Sequence, residues 1–333
     1  MRHRIVRYLD ALLVGMVLGL IFVTFVHAAP SYQHGKVQTN GVTIAYESYG
    51  PTNRETILLI AGTAMQLIDW DPRFCRDLVD HGYRVVVFDN RDIGLSTKFE
   101  SAGEPDFAAL VRAATTHKPS PLPYTLYDMA ADAVGLMDAL HIEKAHVAGA
   151  SMGGIIAQIV ATKYPDRTLS LTSMMAPDGK PGVPIVANPA RLASVPKPHP
   201  NEERAVYIER RIKTMQALDS PANASSEAEL RRIVTREVKR SYCPACDDRQ
   251  GAASLFTTLE DRRDQLKNIR VPALVIHGAD DPLVPVEASK DIAAIVPGAT
   301  LRILPNMGHD MPPSLMKTIS DAISENAARA GRR

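Results

Sequence analysis

Short runs of consecutive apolar residues alternate along this chain with segments in which apolar residues recur every three or four positions. The first pattern is typical of strands buried on both faces, and the second of helices that pack on one side. The apolar runs predict strands at 56–62, 83–89, 145–149, 169–176, 271–278 and 300–304. The spaced patterns predict helices at 71–80, 126–140, 155–164, 286–296 and 313–328. This alternation favours the α/β class, with a mostly parallel central sheet and helices on both faces.

Two segments do not follow this alternation. Residues 36–50 alternate between polar and apolar positions around Asn40-Gly41, which predicts an antiparallel hairpin. Residues 177–200 contain seven prolines, and the charged stretch 201–241 has a helical pattern. We therefore expect a helical cap at 177–264, inserted between two parts of one core at 33–176 and 265–333.

The first 29 residues resemble an export segment. Three arginines lie among the first seven residues, an apolar run follows at 11–26, and small residues stand at Ala28-Ala29. This order is typical of a signal peptide, but the run approaches the length of about 20 residues that a membrane-spanning helix needs. We expect residues 1–29 to be either a cleaved signal peptide or an N-terminal membrane anchor. In both cases the rest of the chain leaves the cytoplasm, as a periplasmic, secreted or anchored protein.

Composition narrows the possible partners. The chain has 38 basic and 37 acidic residues, without a basic stripe, so we expect no nucleic-acid binding. A small, weakly charged partner is favoured instead. Cys75, Cys243 and Cys246 are too few for a disulfide framework. Cys243 and Cys246 have the spacing of a local disulfide, which an exported protein could form, but thiols without a role fit the sequence equally well.

A candidate nucleophile lies where a predicted strand changes into a predicted helix. Residues 149–153 read Gly-Ala-Ser-Met-Gly. Gly-x-Ser-x-Gly between a strand and a helix is typical of a nucleophile elbow, a sharp turn that exposes the serine at the carboxyl edge of a parallel sheet. The two glycines allow neighbouring backbone to approach closely. A serine in a glycine-rich turn is also ordinary turn chemistry, so Ser151 needs support from other residues.

A serine hydroxyl needs a base, and the base needs an orienting acid. Behind such an elbow the acid and then the histidine follow along the chain, each just after a strand. Of the ten histidines, only His309 lies beyond the acid candidates. Asp280 and Asp281 both follow the predicted strand 271–278. We choose Asp281, because strand-end acids occupy its offset in this type of fold.

Acyl transfer also needs two N–H donors for the negative oxygen that develops on the substrate. One expected donor is the backbone N–H of Met152, directly after the candidate nucleophile. The second is expected in the loop after the strand 56–62. Gly62 allows a tight turn there and leaves the Thr63 N–H as our choice, with the Ala64 N–H as the alternative.

At these residues the chain resembles the α/β-hydrolase superfamily, from about residue 36 to the C-terminus. Three further motifs look like the branch of aclacinomycin methylesterase-like carboxylic ester hydrolases. They are Asp-Trp-Asp-Pro at 69–72, Asp-Asn-Arg-Asp at 89–92 and Gly-His-Asp-Met-Pro-Pro at 308–313. One position departs from the family, because its usual His-Gly before the oxyanion loop is Ala61-Gly62 here. The loop must therefore be held in another way. Asp89 and Arg91 are interpreted, from their family position, as structural residues that tie loops together near the site.

The resemblance implies the α/β-hydrolase fold and a serine hydrolase of the carboxylesterase type. It would cleave a carboxylic ester through an acyl-enzyme, with Ser151, Asp281 and His309 as its triad and without a metal or organic cofactor. We expect a small, uncharged, apolar ester as substrate, and membrane contact only through an uncleaved N-terminal segment. The same triad can also serve perhydrolases, amide or peptide hydrolases, carbon–carbon hydrolases and acyltransferases. A non-catalytic binding protein on this fold is the alternative from another class.

The N-terminal pattern leads to a first testable prediction. If the segment is cleaved as a signal peptide, the exported protein begins near Ala29, because the small residues there suit a signal peptidase. Intact mass spectrometry of the exported protein checks this. A full-length mass beginning at Met1, found in the membrane fraction, would contradict cleavage and favour the anchor.

Overall fold

The computed structural model of this protein describes residues 32–197 and 202–332. Its strands form one eight-stranded sheet in the order β1-β2-β4-β3-β5-β6-β7-β8. The strands are β1 Tyr32–Thr39, β2 Val42–Tyr49, β3 Thr56–Ile60, β4 Arg84–Phe88, β5 Ala145–Ala150, β6 Thr168–Met174, β7 Ala273–Gly278 and β8 Thr300–Leu304. β2 is antiparallel to both of its neighbours, β1 and β4, and all the other pairs are parallel. The predicted mostly parallel sheet is therefore confirmed.

Helices connect most of the strands. In chain order they are α1 Pro72–Asp80, α2 Phe107–Thr115, α3 Leu126–Ala139, α4 Met152–Lys163, α5 Pro189–Leu192, α6 Arg204–Leu218, α7 Glu227–Arg240, α8 Pro244–Thr258, α9 Arg263–Leu266, α10 Val286–Ile295 and α11 Pro313–Ala328. Among the described residues, no helix is long and apolar enough to cross a membrane. The predicted export segment at 1–29 lies outside the described residues.

The hairpin at the start of the sheet forms as its turn sequence predicts. Asn40 and Gly41 have φ angles of 47° and 76°. Two consecutive positive φ angles are typical of the turn that best matches the twist of a two-residue hairpin, and Asn-Gly adopts it readily. Thr39 consequently pairs with Val42, and β1 and β2 stay in register along their full length.

The central strands β3, β4, β5 and β7 are buried on both faces, and alternate residues of each strand point to opposite sides of the sheet. Leu58 and Ile60 of β3 join one apolar cluster with side chains of α3, α4 and α10. Ile57 and Leu59 join another on the opposite face, with side chains of α1 and α11. Helices on both faces explain why these strands read as continuous apolar runs.

In the part of the chain between β6 and β7 that the structure describes, there are five helices, α5 to α9. α6 and α7 pack on each other through a small apolar cluster of their own, which includes Tyr207, Ile212 and Val234. A disulfide joins Cys243 and Cys246 at the start of α8, whereas Cys75 is a buried free thiol. This segment lies where a cap is predicted, and the cap at 177–264, between core parts at 33–176 and 265–333, stays a prediction.

A buried ion pair fixes the loop after β4 to the core. The Arg91 guanidinium donates two hydrogen bonds to the Asp132 carboxylate of α3, at 2.6 and 2.7 Å. Asn40 of the hairpin turn donates a third, at 2.9 Å. Both charged side chains are at most 5% exposed. Such a pair leaves a costly unpaired charge when one partner is removed.

We therefore predict that Asp132→Ala lowers the free energy of unfolding by about 3–5 kcal/mol. Asp138→Ala in the same helix is the matched control, because the Asp138 side chain, which pairs with Arg167, is 62% exposed and the pair should contribute about 1 kcal/mol or less. Urea denaturation of both variants measures the difference. Equal losses in the two variants would contradict a structural role for the buried pair.

Candidate active site

The candidate nucleophile stands in a strained turn between β5 and α4. Ser151 has φ 55° and ψ −123°, a conformation that residues other than glycine adopt rarely. A Cβ on Gly149 would lie 2.1 Å from the Gly153 carbonyl oxygen, and a Cβ on Gly153 would lie 2.0 Å from that of Ile60. Both positions therefore require glycine. The Ser151 N–H donates to the Met174 carbonyl of β6 at 2.9 Å, which holds the turn in place.

Ser151, His309 and Asp281 form one hydrogen-bonded series. The Ser151 Oγ lies 2.9 Å from Nε2 of His309, and Nδ1 of His309 lies 2.7 Å from Oδ2 of Asp281. The histidine and aspartate side chains are 6% and 1% exposed, and Ser151 is half-buried. Asp280, the alternative acid, is exposed. The structure thus brings together the three residues that were chosen from the sequence.

The surroundings of Asp281 favour its ionised form. Its Oδ1 accepts hydrogen bonds from the N–H groups of Leu283 and Val284, at 2.8 and 2.9 Å. Burial alone would raise the pKa of Asp281, but the charge of His309 and the hydrogen bonds from His277 and His309 outweigh burial and hold this pKa below its usual range. A carboxylate that stays charged can orient an imidazole and stabilise its protonated form.

His277 is a neighbour of Asp281, and the sequence patterns assign no role to this histidine. Its Nε2 lies 2.9 Å from the Val284 carbonyl oxygen and 3.2 Å from Asp281 Oδ2. Both are acceptors, so this nitrogen carries a hydrogen, while Nδ1 faces the Ser289 hydroxyl at 2.6 Å. His277 and His309 therefore both contact Oδ2 of Asp281, and His277 helps to hold the carboxylate in place. In the sequence, only the position of His277 four residues before Asp281 indicates this contact.

The loop after β3 lies directly against the candidate nucleophile. A Cβ on Gly62 would lie 3.4 Å from the Ser151 Cβ. The Ala64 N–H donates to Oε1 of Gln250 at 2.9 Å, so this group is already used. Within the described residues, the Thr63 and Met152 N–H groups donate no hydrogen bond. The geometry thus favours Thr63 over Ala64 as the second candidate donor.

Three side chains hold this loop where the family has its usual histidine. Asn90 donates to the Ala61 carbonyl at 3.1 Å. Gln250 of α8 accepts from Ala64, and Arg211 of α6 donates to the Ala64 carbonyl at 3.3 Å. Two of the three come from the inserted helices. These long-range partners could not be identified from the sequence, because nothing local links them to the loop.

Asp89 connects the loop after β4 to the insertion. Its fully buried carboxylate accepts from the N–H groups of Leu67 and Leu95, each at 2.8 Å. Arg240, at the end of α7, donates two further hydrogen bonds to the Asp89 carboxylate, at 3.1 and 2.7 Å. These contacts agree with the interpretation of Asp89 as a residue that ties loops together.

The insertion also contacts the loop that carries the candidate base. The His309 N–H donates to the Leu218 carbonyl at the end of α6, at 2.9 Å. The Ser220 hydroxyl accepts from the Gly308 N–H at 2.9 Å and donates to Asp310 at 2.5 Å. Among residues 32–197 and 202–332, no group of three or more His, Cys, Asp and Glu side chains is placed to hold a metal ion.

Comparison with known proteins identifies the family. The model of a family described as "Alpha/beta hydrolase family" matches residues 57–317. The chain therefore belongs to the α/β hydrolase family and is an enzyme of this fold.

Individual relatives cover most of the chain. Rhodomycin D methylesterase DauP from Streptomyces sp. (strain C5) is 27% identical over 87% of this chain and 96% of its own. The bifunctional esterase/perhydrolase DCH from Acinetobacter calcoaceticus is 26% identical over 84% and 94%. Among solved structures, the meta-cleavage product hydrolase CumD from Pseudomonas fluorescens IP01 superposes with a TM-score of 0.67 at 19% identity, over 89% and 98% of the two chains. This last likeness concerns the fold alone.

Proposed function

We propose that the protein hydrolyses a carboxylic ester, with Ser151 as nucleophile, His309 as base and Asp281 as the acid that orients it. The observation that carries this proposal is the unbroken series of hydrogen bonds from the Ser151 Oγ through His309 to Asp281, at 2.9 and 2.7 Å. These are the distances that proton transfer between a nucleophile and its base requires.

In the first step, the Ser151 Oγ attacks the ester carbonyl while His309 Nε2 takes its proton. Asp281 holds the Nδ1–H side of the ring and stabilises the imidazolium that forms. The negative oxygen of the tetrahedral intermediate is bound by the N–H groups of Thr63 and Met152. His309 then gives its proton to the alcohol oxygen as that bond breaks, which leaves the acyl group on Ser151.

Water completes the cycle. His309 removes a proton from a water molecule, which attacks the acyl carbon, and then returns that proton to the Ser151 Oγ as the bond between Ser151 and the acyl group breaks. The products are the carboxylic acid and the free enzyme. These steps use groups of the protein and water alone.

The substrate is proposed to be a small, uncharged, apolar ester. The near-neutral balance of 38 basic and 37 acidic residues favours a weakly charged ligand, and a methylesterase is among the relatives that span most of the chain. We place the reaction outside the cytoplasm, because residues 1–29 have the pattern of an export segment. Membrane contact would then occur only through an uncleaved form of that segment.

One alternative reaction has specific support, since a relative is named as both an esterase and a perhydrolase. If hydrogen peroxide replaced water in the second step, the acyl-enzyme would release a peracid through the same residues. An assay that contains both water and hydrogen peroxide distinguishes the two reactions. If the protein is a hydrolase, the carboxylic acid and not the peracid is the main product at a low peroxide concentration.

We predict that a fluorophosphonate probe labels the wild-type chain and fails to label Ser151→Ala, because the probe reacts with an activated serine. Ester turnover should fall by about 10⁴-fold or more in the same variant. Ser314→Ala is the control, since that serine is exposed and contacts Asn223. Gel fluorescence and nitrophenyl ester hydrolysis by the chain from Ser31 onward measure both effects. Absence of labelling in the wild type would contradict the proposed function.

A further inference from the structure

Helix α8 of the insertion touches the loop that is expected to bind the oxyanion. Gln250, which is fully buried, accepts the Ala64 N–H on its Oε1 at 2.9 Å and donates from Nε2 to the Arg91 carbonyl at 2.7 Å. A backbone N–H can only donate and a carbonyl can only accept, so these two partners determine the orientation of the amide. One side chain therefore bridges two loops at the carboxyl edge of the sheet.

The Ala64 end of this bridge lies in a strained turn. The Met65 N–H donates to the Gly62 carbonyl at 3.3 Å, which closes a turn around Thr63 and Ala64. Ala64 has a φ of 58°, in the region that favours glycine. The backbone keeps this conformation only when surrounding contacts hold it. Gln250 supplies such a contact at the N–H next to the candidate donor.

The Arg91 end of the bridge is rigid. The guanidinium of Arg91 is held by Asp132 through two hydrogen bonds at 2.6 and 2.7 Å. Its backbone carbonyl is therefore a fixed point in the core. Because Gln250 binds both this carbonyl and the Ala64 N–H, it restrains the position of Ala64. Thr63 and Ala64 lie in one turn, so the direction of the Thr63 N–H depends on this restraint.

We propose that Gln250 is a positioning residue for the oxyanion hole, acting through Ala64 on the direction of the Thr63 N–H. The inference rests on the proposed function. It makes the insertion a structural part of the catalytic centre, because the family's usual histidine is absent at Ala61 and a residue of α8 is among the side chains that hold the loop instead.

The test compares two buried glutamines that each make two side-chain hydrogen bonds. Gln250→Met removes the bridge and keeps the length of the side chain. Gln158→Met is the matched control, because Gln158 donates to Ser173 at 2.9 Å and accepts from Arg262 at 2.6 Å, and is equally buried. Ser173→Ala, which removes one partner of Gln158, replaces this control if the Met variant does not fold.

Fluorophosphonate labelling measures the effect without a known substrate. The end point of labelling counts competent Ser151 residues, and the rate constant per competent site reports oxyanion stabilisation. We expect Gln250→Met to lower that rate constant, and kcat per site for a nitrophenyl ester, by about 10- to 100-fold, with KM changed by less than about threefold. Gln250→Glu keeps an acceptor for Ala64 and should retain more of the rate. Gln158→Met should lose thermal stability and keep its rate.

Two results would overturn the inference. Unchanged rates per site in Gln250→Met would show that the bridge does not position the loop. Equal rate losses in Gln250→Met and Gln158→Met would show a general loss of structure. Either result leaves the proposed function intact as long as the wild type is labelled at Ser151, whereas an unlabelled wild type contradicts the proposed function itself.

A different observation concerns the next residue, Gly251. Four glycines lie inside the described α-helices, and three of them have a steric reason. An added Cβ would come within 1.7 Å of a Thr39 atom at Gly135, 2.0 Å of an Ile60 atom at Gly153 and 2.6 Å of an Ala176 atom at Gly154. At Gly251 the nearest atom is Cγ2 of Thr63, at 4.0 Å. Since glycine weakens a helix interior, this open space beside Thr63 needs another explanation.

We infer that Gly251 keeps this space for the acyl part of the ester, which makes it a specificity-determining residue. His309 must reach the leaving-group oxygen, so the alcohol part lies on the His309 side, where the end of α6 contacts the loop. The acyl part lies on the opposite side of the carbonyl. Gly251 lies next to the turn that carries the second oxyanion donor, and Thr63 is the nearest residue to its open space, so we place the acyl part in that space.

Substitution at Gly251 should therefore separate stability from selectivity. Gly251→Ala should raise Tm by about 2 °C, because alanine favours the helix and meets no clash. Gly251→Leu should lower the ratio of kcat/KM for long acyl groups over acetyl by about tenfold, with nitrophenol as the common leaving group. Gly135→Ala should lower Tm and leave this ratio unchanged. An unchanged ratio in Gly251→Leu, or a loss that follows the alcohol part, would overturn the assignment. A wild type that hydrolyses none of these esters would contradict the proposed function as well.

Discussion

Ser151 can occupy its turn only because two backbone segments approach more closely than any side chain would allow. Gly149 faces the backbone of Gly153, and Gly153 faces that of Ile60, with no room for a Cβ at either position. This close packing of β5, α4 and β3 stabilises a backbone conformation that a serine alone would avoid. The serine is consequently presented at the carboxyl edge of the sheet. The loops after β7 and β8 lie at the same edge. His309 is therefore within hydrogen-bonding distance of Ser151, and Asp281 is within hydrogen-bonding distance of His309.

The inserted helices contact three of the loops at this edge, those after β3, β4 and β8. Arg240 binds Asp89 behind the loop after β4, and Gln250 binds Ala64 in the loop after β3. The segment at the end of α6 binds the loop that carries His309. The contacts involve buried or partly buried polar groups, whose hydrogen bonds are costly to lose where water is excluded. The insertion therefore restrains the position of the loops that we propose to be catalytic.

Much of the fold could be predicted from local patterns. Asn40-Gly41 has a strong preference for one turn, and the observed hairpin follows from it. The last strand, Thr300–Leu304, and the last helix, Pro313–Ala328, have the predicted bounds. The sequence does not predict α2, and it predicts a helical insertion without the individual helices α5, α8 and α9. α8 carries Gly251 and buries Arg249 and Gln250, so its sequence lacks the apolar periodicity of an ordinary packed helix.

The candidate site likewise contains residues that the sequence predicts and residues that it does not. Ser151, Asp281 and His309 could be chosen because each follows a strand and their order along the chain is characteristic. Their supporting residues could not, because His277, Asn90 and Gln250 act through contacts that depend on the packed structure. Asn90 and Gln250 lie far along the chain from the groups that they hold.

The central claim, that Ser151 carries the acyl group during turnover, can be tested directly by trapping the intermediate. Rapid acid quench of the enzyme during hydrolysis of a nitrophenyl ester, followed by proteolysis and mass spectrometry, identifies the modified peptide. The account predicts an acyl adduct on Ser151 that disappears as the ester is consumed. Ester turnover without such an adduct, or with the adduct on another residue, would contradict it.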